Sequence, residues 1–437
     1  MLINFSTLKK RAFASRLLND SFWALFGNII GKGLALAAGI VVARILGNEV
    51  FGEYGIIRNT LMSIAIFSTF GLGYTATKYV AEYKNTKPEY MAELLRYSRN
   101  ITLVVSGIMS VGLFIGAAYI SEKILEAPHL TIPLKFTAVW IIFNAITTTQ
   151  IGVLAGFGDF KGMARVNTIV GCITFILSFV FTFYWQLNGA LVALLLAQIV
   201  NWWLNFRLVK SNMPKQEIAT YQEKPLLKQI LRFSFPVALQ EALYSITSWV
   251  TSLLLIRLAT YGELGLYSAA IQWSAIILFV PGMLRNVILS HMAEASNDEL
   301  RHNRVLKITL LINFVMTFIP FLLVFIFSGF ITNFYGESFF GLKEVINISV
   351  FSTIFTSLSN VYAQAYMSKG RNWLMFSIRL FRDVGVIIIA YFLLKNISNY
   401  NGAVILSFTQ LVMGISFLLI IFVFYKFKFN SKHFVQS

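Results

Sequence analysis

Apolar residues in this chain come in long blocks separated by short polar stretches, and block length is the informative quantity. A helix needs about 20 mostly apolar residues to cross the hydrocarbon of a bilayer. Twelve blocks of that order follow one another. Six lie at 22–46, 54–79, 98–120, 132–155, 166–185 and 189–208; after a basic stretch at 210–228, six more lie at 230–258, 265–291, 308–327, 345–367, 373–394 and 402–425. Lipid offers the backbone no hydrogen bonds, so only helices and closed barrels can span it. Blocks of this length predict helices, and the chain reads as an all-α membrane protein with about 12 transmembrane helices.

Composition removes the main alternative. Of 437 residues, 57% are hydrophobic and 13% charged, whereas about a quarter of the residues in a soluble chain are charged. Length alone would suggest two or three soluble domains, but this much apolar surface has no aqueous core in which to hide.

Lysines and arginines then orient the helices, because they concentrate in cytoplasmic loops. With the N-terminus placed inside, 26 of the 36 fall on cytoplasmic segments, six at the opposite ends (Arg44, Lys123, Lys135, Arg257, Lys343 and Lys395) and four within spans. The asymmetry holds loop by loop and places both termini in the cytoplasm. It also accounts for most of the net charge of +17, so basicity gives no reason to expect a nucleic-acid partner. The start, MLINFSTLKKRAFASRLLNDSFW, is basic but lacks the apolar core and small-residue cleavage site of a signal peptide. It reads as a retained cytoplasmic tail. On the opposite face the longest loop runs over about 328–342, too short for a catalytic domain, which argues against an enzyme.

The blocks also repeat. ARILGNEVFGEY (43–54) joins the first two spans, and IRLATYGELGLY (256–267) joins the seventh and eighth. At an offset of 213, Arg44 aligns with Arg257, Gly52 with Gly265 and Tyr54 with Tyr267. YVAEY (79–83) corresponds to HMAEA (291–295), and GFGDFKG (156–162) to YMSKGRN (366–372), at slightly smaller offsets. Six spans per half is an even number, so both halves start on the same side and the repeat axis runs along the membrane normal. This predicts two parallel six-helix bundles around a central cavity: an N-terminal bundle at 1–209, a cytoplasmic linker at 210–229 and a C-terminal bundle at 230–437.

The first span GNIIGKGLALAAGIVVARILG, the connector RILGNEVFGEY, the second-span exit GYTATKYVAEY and the turn GFGDFKG together resemble the Wzx-type oligosaccharide flippases of bacterial cell-surface polysaccharide assembly. These belong to the multidrug/oligosaccharidyl-lipid/polysaccharide exporter superfamily. The likeness covers nearly the whole chain and is more specific to the superfamily than to a substrate. It implies alternating access at the bacterial inner membrane and a cargo of oligosaccharide on polyprenyl pyrophosphate, such as an O-antigen or capsule repeat unit. It also implies glycan polymerase and assembly proteins as partners, no cofactor, and H⁺ or Na⁺ as the coupling ion. Multidrug extruders share the fold, so a cation-coupled multidrug antiporter is the alternative. Related lipid II flippases carry two further helices, which the block count does not include.

Ionisable groups inside the spans carry the chain's own functional signal, since such groups are costly in hydrocarbon and face a cavity or a partner. Lys32 lies about ten residues into the first span, about 15 Å deep at 1.5 Å per residue. That is too deep to snorkel, so it lines a wet cavity, where an ammonium would suit a diphosphate, or pairs with a carboxylate. Arg58, one turn into the second span, reaches either the interface or the cavity. In FSIRLFRDVG, Arg379 and Asp383 are four apart and predict a pair on one helix face, leaving Arg382 for a ligand or another helix. Glu241 follows Pro236 in FPVALQEALY and would carry a proton, bind Na⁺ or pair with Lys32. Arg285, after Pro281, anchors at the interface or meets the pyrophosphate. The candidate cavity cations are thus Lys32, Arg58, Arg285, Arg379 and Arg382, with Glu241 and Asp383 as coupling or structural carboxylates.

Asn28, Asn144, Gln150, Gln240, Gln272, Asn360, Gln364 and Gln410 add hydrogen-bonding groups suited to sugar or to helix packing, and the spacing of Gly27 and Gly31 predicts a close helix contact. Four in-span cations against two acids favour an anionic cargo over a cationic drug. His129, His291, His302 and His433 are scattered without metal-ligand spacing. GKG at 31–33 lies inside a span without the strand and upstream glycine of a phosphate loop. The lone Cys172 sits in an apolar run and is expected to be buried as a small hydrophobe. A phosphatase reporter that works only outside the cytoplasm should be active when fused after residue 126 or 338 and silent after residue 86 or 300. The opposite pattern would reverse the orientation.

Overall fold

The computed structural model describes residues 5–69, 72–86, 91–213, 242–294, 298–369, 371–397 and 399–430, and these contain no strand. The helices are α1 (Phe5–Thr69), α2 (Leu72–Thr86), α3 (Met91–Tyr119), α4 (Thr131–Phe157), α5 (Phe160–Asn212), α6 (Ala242–Leu258), α7 (Tyr261–Ile277), α8 (Phe279–Glu294), α9 (Glu299–Asn333), α10 (Leu342–Ser368), α11 (Asn372–Asn396) and α12 (Gly402–Asn430). Among the described residues every predicted block falls on helix, the seventh being described from Ala242 onward. Among the described residues, seven helices are long and apolar enough to cross a membrane.

Helix α1 carries the first block and the start of the second, α5 carries the fifth and sixth, and each is interrupted between them. In α1 the break is Gly47, at φ 72° and ψ 170°, a conformation open to glycine but strained for other residues. In α5 it is Trp185 and Gln186. The turn of the second half breaks differently. Thr260, the residue aligned with Gly47, is extended, and its Oγ1 accepts the Glu263 N–H at 3.2 Å, capping α7.

Packing resolves the chain into two compact units. Unit 1 comprises Met1–Ala38 and Ile57–Ser245; unit 2 comprises Gly39–Ile56 and Ile246–Ser437. The tip joining the first two spans is therefore packed as part of unit 2. In unit 1, α4 packs against α2, α3 and α5; in unit 2, α10 packs against α7, α8, α9 and α12. These are the fourth span of each half, and they are its inner helices. Half of the apolar window of α4 and 56% of that of α10 are buried, against 17% for α9.

The inner helices are also the least apolar of the seven, as expected where lipid rather than water is the solvent. Helix contacts in lipid favour small residues and hydroxyls. In unit 1, Thr77 Oγ1 donates to Gly152 O at 3.0 Å, Ser110 Oγ to Ala138 O at 2.9 Å, and Thr102 and Thr149 share a 3.0 Å hydroxyl contact. In unit 2, Ser357 Oγ donates to Asn313 Oδ1 and Ser349 Oγ to Ser407 Oγ, both at 3.1 Å. The same solvent explains why Cys172, expected inside, is exposed on α5. A thiol gains little by leaving hydrocarbon for protein.

The turn GFGDFKG is held by its carboxylate. Asp159 Oδ1 caps α5 by accepting from Gly162 N at 2.9 Å, and Oδ2 accepts from Asn212 Nδ2 at 2.9 Å, tying the two ends of α5 together. Losing an N-cap costs about 1 kcal/mol. Asp159→Ala should lower the thermal midpoint in detergent by a few degrees, while Asp159→Asn, also a good cap, should lose less.

Candidate functional site

The geometry around Lys32 starts from the glycines beside it. In unit 1 the inner half of α1 runs against α5. A methyl at Gly27 would stand 2.9 Å from Ala164 O, and one at Gly31 would stand 2.7 Å from Asn167 O. Asn167 Nδ2 donates to Asn28 Oδ1 at 2.5 Å, and Thr168 Oγ1 to Gly27 O at 3.3 Å. This face of α1 is consumed by packing. Lys32 follows Gly31 and is turned about 100° around the helix, and its side chain is exposed. The bend at Gly47 folds the second span back, so that the half-buried Arg58 comes within electrostatic reach of Lys32. The two expected cations of unit 1 are thus brought together.

The charges of α11 are arranged differently from expectation. Asp383 is 3% exposed, and its partner is the adjacent Arg382, whose Nη2 and Nε lie 2.5 and 2.7 Å from Asp383 Oδ1. The guanidinium also lies 4.6 Å from the centre of the Phe417 ring on α12. The cation that sequence reasoning left for a ligand is therefore the one that holds the carboxylate. The four-residue rule describes neighbours on an isolated helix; here the ring of Phe417 pins the guanidinium close enough for an adjacent carboxylate to reach it. Arg379 is half-buried. Glu241 and the side chain of Arg285 lie outside the described residues.

Two of the in-span amides are engaged by neighbouring side chains. Asn28 is used as above, and Gln410 Nε2 donates to Tyr267 OH at 2.6 Å. Gln364 is 2% exposed, and neither of its amide atoms has a hydrogen-bond partner among the described residues. Sequence reasoning missed His302, which lies outside every apolar block. The side chain is fully buried between Tyr425 OH, 3.0 Å from Nδ1, and Ser368 Oγ, 3.1 Å from Nε2. Ser368 spends its proton on Ala365 O, so it accepts from Nε2–H while Tyr425 donates to Nδ1. The available signal was Asp298, whose side chain caps α9 ten residues before the apolar block and so carries His302 into the helix.

Residues 17–290 match the family described as polysaccharide biosynthesis protein. An uncharacterized membrane protein of Methanocaldococcus jannaschii is 24% identical over 284 residues, which is 61% of this chain and 66% of that relative, just under two thirds of its length. Among solved structures, an inward-facing multidrug resistance MATE family transporter of the MOP superfamily superposes with a TM-score of 0.80 at 14% identity, over 95% of this chain and 99% of that one. The lipid II flippase MurJ in an inward closed conformation gives a TM-score of 0.69 at 16% identity, over 92% of this chain and 87% of the other. At these identities the likeness establishes the fold alone.

Removing one partner of a buried ion pair costs about 3–5 kcal/mol, because the other charge is stranded, whereas replacing both can be neutral. Arg382→Leu and Asp383→Leu should each lower the yield of folded protein, and the double substitution should restore it. A double variant no better folded than either single one would show that the pair does not hold α11 against α12.

Proposed function

The chain belongs to the polysaccharide biosynthesis protein family, and on that premise we propose that it is a Wzx-type flippase. It carries oligosaccharide linked to polyprenyl pyrophosphate, as an O-antigen, capsule or exopolysaccharide repeat unit, across the bacterial inner membrane by alternating access. Both termini are cytoplasmic in this reading, and glycan polymerase and assembly proteins receive the product.

The observation that carries the proposal is the proximity of Lys32 and Arg58. Each cation is costly at this depth, and two together repel one another in a medium that screens poorly. A diphosphate reverses the sign of that interaction: it supplies several negative charges and accepts charge-assisted hydrogen bonds from both side chains. The polyprenyl tail stays in lipid while the head group crosses. An inside-negative potential favours outward movement of the anion by about 2.3 kcal/mol per charge per 100 mV. Return of the empty carrier is coupled to H⁺ or Na⁺, with Glu241 as the candidate carboxylate.

The fold shared with a MATE transporter favours a second reading, cation-coupled multidrug antiport. A cationic drug needs an acidic site, and Asp383 is already neutralised by Arg382. The anionic cargo is the better match to the charges.

A charge-assisted contact is worth about 1.5–3 kcal/mol, and each 1.4 kcal/mol is a factor of about ten. Lys32→Ala should therefore slow glycan export at least about tenfold at unchanged protein level, with lipid-linked oligosaccharide accumulating on the cytoplasmic leaflet. Lys32→Arg should retain much of the activity. Normal surface glycan in the alanine variant would remove Lys32 from the path.

A further inference from the structure

Within unit 2, the tip joining spans one and two meets the tip joining spans seven and eight, and the two meet symmetrically. A methyl on Gly52 would overlap the carbonyl oxygen of Tyr261 and stand 3.2 Å from Gly265 N; a methyl on Gly265 would overlap the carbonyl oxygen of Asn48. At the repeat offset of 213, position 261 corresponds to 48 and position 265 to 52. The same glycine-on-carbonyl contact is thus made twice, once in each direction. One turn further on, Gly55 faces its own counterpart: a methyl there would stand 2.6 Å from Ser268 Oγ and 3.3 Å from Ser268 Cβ. Residues at equivalent positions touch one another only where the axis relating the repeats passes between them. The crossing of 52 with 265 and of 55 with 268 lies on that axis.

At this crossing backbone meets backbone, and no side chain or water fits between. The surroundings reinforce it. Phe51 is fully buried and edge-on to Phe339, with ring centres 6.0 Å apart. Arg44 Nη1 donates to Phe334 O at 3.5 Å, and Glu263 Oε2 accepts from Gly402 N at 3.0 Å. Burial pushes the carboxyl of Glu263 above its usual range, opposed by that N–H.

We propose that the Gly52–Gly265 crossing, with Gly55 and Ser268 beside it, is the outer seal of the transport path. The two tips must part for the glycan to leave, and the missing side chains are what let them close. The proposal rests on the flippase reading and its orientation. Any side chain added at Gly52 or Gly265 acts as a wedge that shifts the population toward the parted state.

The test uses the full-length chain with Cys172→Ala. In Gly55→Cys/Ser268→Cys the paired Cβ atoms start near the separation of a natural disulfide. Oxidation should join the two cysteines within one chain and reduce glycan export about tenfold or more, and reductant should restore it. Separately, a membrane-impermeant maleimide added outside should label Ser268→Cys about tenfold faster when Gly52→Val is present. Absence of the cross-link, export by the cross-linked chain at the reduced rate, or labelling indifferent to Gly52→Val would overturn the seal. If the labelling responds to Gly52→Val while the reduced double-cysteine chain exports no lipid-linked oligosaccharide, the seal stands and the cargo assignment falls.

Discussion

The bilayer leaves the backbone no partner but itself, and that constraint organises this protein. Each run of hydrocarbon depth must be helix, and each break in a helix must fall where water or a close neighbour can satisfy the freed groups. The breaks at Gly47, at Gln186 and before Thr260 all stand at the ends of apolar blocks. Once helices are obligatory, apolarity no longer sorts inside from outside. The most apolar span, α9, faces outward, while α4, rich in threonine, and α10, rich in serine, sit innermost in their units. Close approach and hydroxyl contacts hold the interior together, because helices gain nothing by trading lipid for leucine.

The same constraint separates two kinds of intramembrane charge. Arg382 and Asp383 neutralise each other beside Phe417, and little field remains for a third party. Lys32 and Arg58 do the reverse, since each raises the cost of the other. A charge at the centre of a span costs about 2.5–3.5 kcal/mol. In the proposed reading, a transported anion offsets that cost.

The spans were legible because hydropathy measures the very quantity lipid selects, and the internal repeat was legible because turns constrain residue type more tightly than spans do. Gly52 and Gly265 stood out in the sequence for that reason. Other features were not legible. The partner of Asp383 was set by an aromatic ring on another helix, which no intrahelical spacing encodes. The burial of His302 depended on α9 starting well before its apolar block. The packing of 39–56 with unit 2 has no linear signature, because a division of the chain into consecutive halves cannot express a tip that belongs spatially with the other half. Cys172 was misplaced by a habit of soluble proteins, in which an apolar run points inward.

The symmetric glycine crossing carries a genetic consequence. When two copies of one half-length chain face each other across a twofold axis, a mutation in the single gene strikes that axis from both sides, and any bulk added there is doubled. Fusion of the copies into one reading frame removes the doubling. Each half then meets a change at the axis singly and can answer it locally. At the axis, 52 and 265 are the same residue, whereas 55 and 268 are glycine on one side and serine on the other. In a fused chain the two sides of an opening are free to become chemically unequal, and a path for a directional cargo profits from that inequality.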